Sequence, residues 1–152
     1  MEALFENATI VCDLQASGKR RALQSLADQV AADFGLNAGV VMQHLFEREQ
    51  LGATGVGGGV AMPHGRMSGL DRIVIGFARL ETPIEYESPD GEPVDLILLL
   101  LAPEEAGAVC LKAISKASRV LRGAPVRARL REAKTAEEIR AILTEGQEKL
   151  AA

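Results

Sequence analysis

Aromatic side chains are scarce in this 152-residue chain, which has no tryptophan, one tyrosine and four phenylalanines. The core must therefore be aliphatic, and the chain lacks the aromatic platforms on which single-stranded nucleic acids stack. Positive charge is scarce as well, because 17 basic residues are set against 21 acidic ones, for a net charge of −4. This balance argues against a general nucleic-acid surface and leaves room only for a local basic patch. We expect no nucleic-acid partner.

Targeting and membrane signals are missing too. The N-terminal residues 1–6 lack the basic, apolar and small-residue segments of a secretory signal peptide. The longest purely aliphatic run, Leu96 to Ala102, is far too short to span a bilayer. We therefore predict a cytoplasmic protein without membrane insertion. In that reducing compartment, Cys12 and Cys110 are expected to be small buried apolar side chains rather than a disulfide framework.

The hydrophobic pattern predicts one domain over residues 1–152, with helices first, then strands, then helices again. Helical spacing predicts helices over 18–34, 105–122 and 125–132. A further helix is predicted from an N-cap at Asn37 to about Gln50, and a Thr135/Glu138 capping box predicts the start of the last helix. Extended patterns predict strands at 60–62, 72–80 and 94–101, with a hairpin or ribbon over 81–95. The inner stripe of the second helix is expected to hold Val40, Val41, Leu45 and Leu51, and one face of the helix over 105–122 holds Leu111, Ile114, Ala117 and Leu121.

The run 94–101 is almost wholly aliphatic, which is typical of a central strand buried on both faces. The predicted fold class is therefore α/β: a single-domain sandwich with a central mixed β-sheet flanked by α-helices on both faces.

Six of the 15 glycines lie between Gly52 and Gly65, within LGATGVGGGVAMPHGR. This segment is not a P-loop, because no Lys-Ser or Lys-Thr follows the glycines, and no register gives G-x-G-x-x-G. The chain also lacks the G-x-S-x-G motif of a serine nucleophile. Glycine richness alone is equally compatible with a flexible turn.

His64 follows these glycines between Pro63 and Gly65. Pro63 stiffens the backbone before it, and Gly65 permits an unusual turn after it, so the ring is predicted to be accessible to a reactant. The alternative is an ordinary hydrogen-bonded loop histidine. We expect no metal, because His44 is 20 residues away and no Cys or carboxylate stands at short ligand spacing.

An accessible neutral imidazole can attack a phosphoryl group and hold it as phosphohistidine. The backbone N–H groups of glycine-rich turns can receive the phosphoryl oxygens without side-chain obstruction. A nearby cation would help, and Arg48 near the end of the second predicted helix is the candidate. Its alternative is a solvated or salt-bridged helix residue. This chemistry needs no cofactor, and we expect none.

The residues EREQLGATGVGGGVAMPHG resemble the active-site signature of type-2 enzyme IIA domains of the bacterial phosphoenolpyruvate-dependent phosphotransferase system, the fructose, mannitol and nitrogen class. LETPIEYESPDGEPVDLILLLLAPEEAG and LKAISKASRVLR extend the similarity, particularly to the nitrogen-regulatory branch. The resemblance implies a phosphotransferase in which a histidine phosphocarrier protein phosphorylates Nε2 of His64, with Arg48 stabilising the phosphate. The phosphate-binding positions that it implies are Thr54, Gly55, Gly57 and Gly65.

The nitrogen-regulatory branch implies regulatory protein targets that respond to the phosphorylation state. It is favoured because the 152-residue chain carries no fused membrane component or downstream domain. One alternative is a sugar-specific enzyme IIA of the fructose or mannitol type, which has a sugar-type carrier as donor and passes phosphate to a separate enzyme IIB. Another is a non-catalytic regulatory binding module.

The chain departs from the family pattern at two positions. Cys110 stands where many relatives have a second histidine, and a thiol cannot replace an imidazole's hydrogen bond or charge. We therefore expect altered phosphohistidine stabilisation, and Cys110→His tests it through the phosphorylation rate and the phosphohistidine lifetime. Gly58 stands where relatives often have Asn or His. The resemblance implies an apolar docking surface for the carrier around His64, with Met62, Met67 and Leu70 as candidates.

Overall fold

In the computed structural model, which describes residues 3–151, one strand precedes two helices, five strands follow, and three helices end the chain. The elements are β1 Thr9–Leu14, α1 Lys19–Phe34, α2 Ala38–Gln50, β2 Gly55–Gly57, β3 Val60–Ala61, β4 His64–Met67, β5 Val74–Ile84, β6 Val94–Pro103, α3 Gly107–Arg122, α4 Ala124–Glu132 and α5 Ala136–Ala151. The predicted helices are confirmed, whereas β1 was not predicted.

The strands form one mixed sheet in the order β1-β5-β6-β3-β2, and β4 also pairs with β6. β1 is parallel to β5, and both β3 and β4 are parallel to β6. The β5–β6 and β2–β3 pairs are antiparallel. The predicted mixed sheet is therefore confirmed.

Strand β6 is buried on both faces, as its aliphatic sequence predicted. Alternate residues enter two separate hydrophobic clusters, because successive side chains of a strand point to opposite faces. Leu96, Leu98 and Leu100 pack with α3, α4 and α5, whereas Ile97, Leu99 and Leu101 pack with α1 and α2. Full burial of one such side chain stabilises the fold by about 1.5–3 kcal/mol. The aliphatic centre of the sheet thus fixes the helix layers on its two sides.

Several helix ends follow their sequence signals. The Asn37 side chain accepts a hydrogen bond from Val40 N at 3.1 Å, and the Thr135 hydroxyl accepts one from Glu138 N at 3.1 Å. Three predicted inner positions are wrong, however: Val40, Leu51 and Leu111 are exposed. The buried side of α2 runs through Val41 and Leu45, as predicted, and through Met42. Among residues 3–151, every helix is too short or too polar to serve as a membrane span.

The chain between β3 and β4 positions His64. β3 pairs with Leu96 and Ile97, and β4 begins again opposite Leu100. Pro63 lies in the interruption, where its carbonyl accepts a hydrogen bond from Leu100 N at 3.0 Å. His64 is therefore the first residue of a strand that is hydrogen-bonded to the most deeply buried strand of the sheet.

Candidate active site

A cleft of about 510 Å³ opens beside His64. It is lined by α2 with Leu51 just after it, by the start of β4, and by Glu104 and the first half of α3. The lining residues are His44, Glu47, Arg48, Leu51, His64, Gly65, Arg66, Glu104, Gly107, Cys110, Leu111 and Ile114. The cleft thus brings together four of the residues singled out in the sequence, namely Arg48, His64, Gly65 and Cys110.

The His64 ring is held by its own backbone neighbourhood. Its Nδ1 atom lies 2.9 Å from the carbonyl oxygen of Met62. A carbonyl oxygen can only accept a hydrogen bond, so Nδ1 carries the proton of the neutral ring and donates it. The lone pair then resides on Nε2. The half-buried ring is thereby prepared to act as a nucleophile through that nitrogen.

Gly65 serves a different purpose from the one predicted. It lies in strand β4 and is absent from the glycines with positive φ, so the expected unusual turn is wrong. A Cβ atom added at Gly65 would lie 3.4 Å from the His44 Cβ. The missing side chain therefore lets α2 pack close against β4, which brings His44 beside the His64 strand.

Two arginines line the cleft, together with two carboxylates, Glu47 and Glu104. Arg48 lies in the last turn of α2, and its Nη1 donates to the Gly52 carbonyl at 2.9 Å. Arg66 reaches the Glu104 carbonyl at 3.5 Å. The first turn of α3 also borders the cleft through Gly107, and the N-terminus of a helix favours anions. These groups can hold the oxygens of a phosphoryl group beside His64.

Cys110 lines the cleft from α3 and is buried. Burial raises the pKa of its thiol, and the positive charge of Arg66 opposes that rise only in part. The group is therefore a neutral thiol near neutral pH, without the charge that an imidazole could carry there.

Three of the predicted phosphate-binding residues, Thr54, Gly55 and Gly57, do not line the cleft. Thr54 is buried, with its hydroxyl hydrogen-bonded to Glu49 and 3.2 Å from the Tyr86 hydroxyl. Gly55 packs on Ser88, and Gly57 ends β2 beside Asp90. The role of these three residues in binding a phosphate on His64 stays a prediction.

The apolar rim of the cleft also differs from expectation. Met62 and Met67 are buried in the core, and Leu70 packs against it. Leu51 and Leu111 are instead exposed, at 85% and 71% of their full accessible surface. Both line the cleft. Two large apolar side chains thus flank the opening in front of His64.

Sequence reasoning did not assign His44 and Arg66 to the site, although signals for both were present. His44 and Arg48 are four residues apart on a helix, so they share a face. His64 and Arg66 are two apart on a strand, so they point to the same side. Within residues 3–151, no three His, Cys, Asp or Glu side chains are grouped to hold a metal ion.

The family model described as "Phosphoenolpyruvate-dependent sugar phosphotransferase system, EIIA 2" matches residues 3–146. The chain belongs to this family. A nitrogen regulatory protein of Bradyrhizobium diazoefficiens is 47% identical over 130 residues, covering 86% of this chain and 85% of that protein. A nitrogen regulatory protein of Pseudomonas aeruginosa is 34% identical over 148 residues, covering 97% of this chain and 96% of that protein.

Solved structures agree with this family placement. The crystal structure of the nitrogen regulatory protein IIA-Ntr from Neisseria meningitidis superposes with a TM-score of 0.84 at 37% identity, covering 90% of this chain and 94% of that one. The predicted resemblance to type-2 enzyme IIA domains, and to their nitrogen-regulatory branch, is therefore confirmed. The family placement supports a role as an enzyme IIA of a phosphotransferase system.

Proposed function

We propose that this enzyme IIA accepts a phosphoryl group on Nε2 of His64 from a histidine phosphocarrier protein, as a regulatory component of a nitrogen-related phosphotransferase system. The observation that carries the proposal is the hydrogen bond from His64 Nδ1 to the Met62 carbonyl, in a ring that borders the same cleft as Arg48 and Arg66. That bond leaves the lone pair on Nε2, which is the atom that must bond to phosphorus.

The reaction exchanges one nitrogen–phosphorus bond for another. The lone pair of His64 Nε2 attacks the phosphorus of the carrier's phosphohistidine, and the carrier's own N–P bond breaks as its electron pair returns to the leaving imidazole. Nδ1–H continues to donate to Met62 O, which stabilises the positive charge that the ring gains. Arg48 and Arg66 counter the charge of the phosphoryl oxygens.

The exposed rim supports a protein as the phosphoryl donor. Leu51 and Leu111 flank the cleft as large exposed apolar side chains, and exposed apolar surface beside polar groups marks sites of protein interaction. A carrier seated there would hold its phosphohistidine against His64.

The regulatory role rests on the relatives, which are named nitrogen regulatory proteins in Bradyrhizobium and Pseudomonas. We infer that regulatory proteins which distinguish the two phosphorylation states are the downstream partners. The family description also names a sugar phosphotransferase system, so a sugar-specific enzyme IIA that passes its phosphate to an enzyme IIB is the second candidate.

The test is phosphorylation by phosphoenolpyruvate and purified upstream carriers of the nitrogen type. We expect one acid-labile, alkali-stable phosphate on the protein, lost in His64→Ala and retained in His44→Ala. The His44 variant is the matched control, because both histidines border the same cleft. Label that survives in His64→Ala would contradict the site. An unlabelled parent would favour a non-catalytic binding module, and onward transfer to a sugar-type enzyme IIB would favour the second candidate.

A further inference from the structure

The Glu49 carboxylate, at the end of α2, is buried and accepts bonds from three other residues. Its side chain is only 5% exposed. Oε2 lies 2.7 Å from Lys19 Nζ and accepts from Thr54 N at 3.2 Å. Oε1 accepts from the Thr54 hydroxyl and from the Tyr86 hydroxyl, the latter at 3.2 Å. A charge buried to this extent is tolerated only when it is paired and hydrogen-bonded in this way.

The donors around this carboxylate are themselves held in place. Burial raises the pKa of Tyr86 far above its ordinary value, so the phenol keeps its proton and remains a donor. The Lys19 ammonium lies 4.4 Å from the centroid of the Tyr86 ring, within cation–π range. Lys19 is the first residue of α1, so the group ties the start of α1 to the end of α2.

Thr54 connects this buried group to the His64 ring. Its hydroxyl and its N–H both bind Glu49, while its carbonyl accepts a hydrogen bond from Met62 N at 2.9 Å. The carbonyl of the same Met62 receives the proton of His64 Nδ1. A short series of hydrogen bonds therefore runs from a carboxylate outside the cleft to the atom that selects the tautomer of His64.

We infer that Glu49 is a positioning residue, which holds Thr54 and Met62 so that His64 presents a bare Nε2 for phosphorylation. The inference rests on the proposed function for its kinetic consequence. Without the carboxylate, the N–H and the hydroxyl of Thr54 lose their acceptor. Met62, which is bonded to the Thr54 carbonyl, is then held less firmly, and its own carbonyl can move. The imidazole then loses the partner that keeps its proton on Nδ1. The Nε2–H tautomer, which has no lone pair at the reacting atom, becomes populated.

The competing explanation is that Glu49 only forms a structural ion pair with Lys19. The ion-pair explanation and the positioning explanation make different predictions. An ion pair with Lys19 would matter for stability but not for the ring of His64. A positioning residue must alter the His64 ring in a protein that is still folded. Misplacement of a reacting group by about 1 Å can cost on the order of a hundredfold in rate.

The decisive variant is Glu49→Leu, which keeps a similar volume and removes every acceptor. With ¹⁵N-labelled histidine, we expect the NMR shifts of the His64 ring nitrogens to move from the Nδ1–H pattern towards the Nε2–H pattern in the unphosphorylated protein. The His44 ring in the same sample serves as the internal reference. We also expect the turnover of phosphorylation to fall about ten- to a hundredfold, with the KM for the carrier within about twofold.

Two matched variants separate positioning from pairing. Lys19→Met breaks the ion pair but leaves Thr54 bound to Glu49, so His64 should keep the Nδ1–H tautomer and a rate near that of the parent. Glu49→Gln retains an acceptor for Thr54 and should restore most of the tautomer preference and of the rate.

A Glu49→Leu protein that is folded, keeps the parent His64 pattern and is phosphorylated at the parent rate overturns the inference. If that variant does not fold, Thr54→Val decides in the same way, because it removes the hydroxyl bonded to Glu49. The tautomer is read without any phosphorylation. An unlabelled parent would therefore overturn the proposed function, while the NMR result would still decide the positioning role.

Discussion

The glycine-rich segment has two parts, which differ in how they are held. The inner part, residues 53–55, packs into the protein through Thr54 and Gly55, both of which are buried. The outer part, residues 57–59, is three consecutive glycines with φ of 93°, 67° and 79°. In the outer part, Asp90 accepts from Gly58 N at 3.0 Å and Arg131 donates to Gly58 O at 2.7 Å. The carbonyl of the buried Gly59 accepts from Asp95 N at 3.0 Å.

Glycine is needed for a different reason in each part. In the inner part the constraint is space, because Gly55 lies against Ser88 and has no positive φ. In the outer part the constraint that all three glycines share is the backbone, because residues with a Cβ rarely adopt positive φ. Only the inner part connects by hydrogen bonds to Met62 and hence to His64. The inner part thus supports the His64 site, whereas the glycines of the outer part allow the chain to turn.

Gly55→Ala should produce the largest effect. Its Cβ would lie 2.4 Å from Ser88 Oγ and 3.1 Å from the Ser88 Cα, so the inner part must shift. We expect the free energy of unfolding to fall by about 2 kcal/mol, measured by urea denaturation. Phosphorylation of His64 should slow as well, because Thr54 moves with Gly55.

Gly18→Ala is the control for the Gly55 variant. Gly18 has φ of 179°, and a Cβ there meets no atom within 4 Å. Gly18 is the N-cap of α1, where glycine is preferred to alanine, so we expect the stability of this variant to fall by less than about 1 kcal/mol. Equal stabilities for the Gly55 variant, the Gly18 variant and the parent would refute the packing explanation.

Gly58→Ala tests the outer part and should have a smaller effect. Its φ of 67° strains a residue with a Cβ, whereas the nearest atom to that Cβ, Arg127 Nε at 3.1 Å, belongs to a side chain that can move. We expect a loss of about 1 kcal/mol in unfolding free energy. The phosphorylation rate of the folded protein should equal that of the parent, because the turn lies outside the cleft.

Gly58→Asn is the matched variant, since asparagine tolerates positive φ better than alanine. It should recover part of the lost stability. If Gly58→Ala instead slowed phosphorylation as much as Gly55→Ala, the two parts would not be functionally distinct.

The features readable from the sequence were those fixed by local chemistry. The aliphatic run of β6, the cap at Asn37 and the Pro63-His64-Gly65 group were identified because each depends on neighbouring residues. Strand β1 was missed, and its sequence TIVCDL has partly buried positions that do not alternate cleanly. Its pairing partner, β5, lies more than 60 residues away along the chain.

The neighbours of His64 were harder to predict, because packing of distant elements decides them. Leu111 fits the helical spacing of a core residue, yet the cleft leaves it exposed. Thr54 matches a phosphate-binding position by resemblance, but its hydroxyl is bonded to Glu49 beneath the surface. Composition and spacing cannot reveal that a carboxylate from α2 reaches it. Such assignments require the three-dimensional arrangement of α2 and the loop after it.

The smallest expected effect concerns the titration of Asp90, which anchors the outer part. Hydrogen bonds from Gly58 N–H and then from Glu92 N–H lower the pKa of this carboxyl below its ordinary value. Its contribution to stability is therefore complete above the unfolded-state pKa and is lost as the pH falls through the lower folded-state pKa. Because Asp90 is fully exposed, the contribution is small. Urea midpoints of the parent and of Asp90→Asn should converge from about pH 5 downwards, since asparagine does not titrate. A constant difference between the two midpoints over that range would show that the charge of Asp90 does not hold the outer part in place.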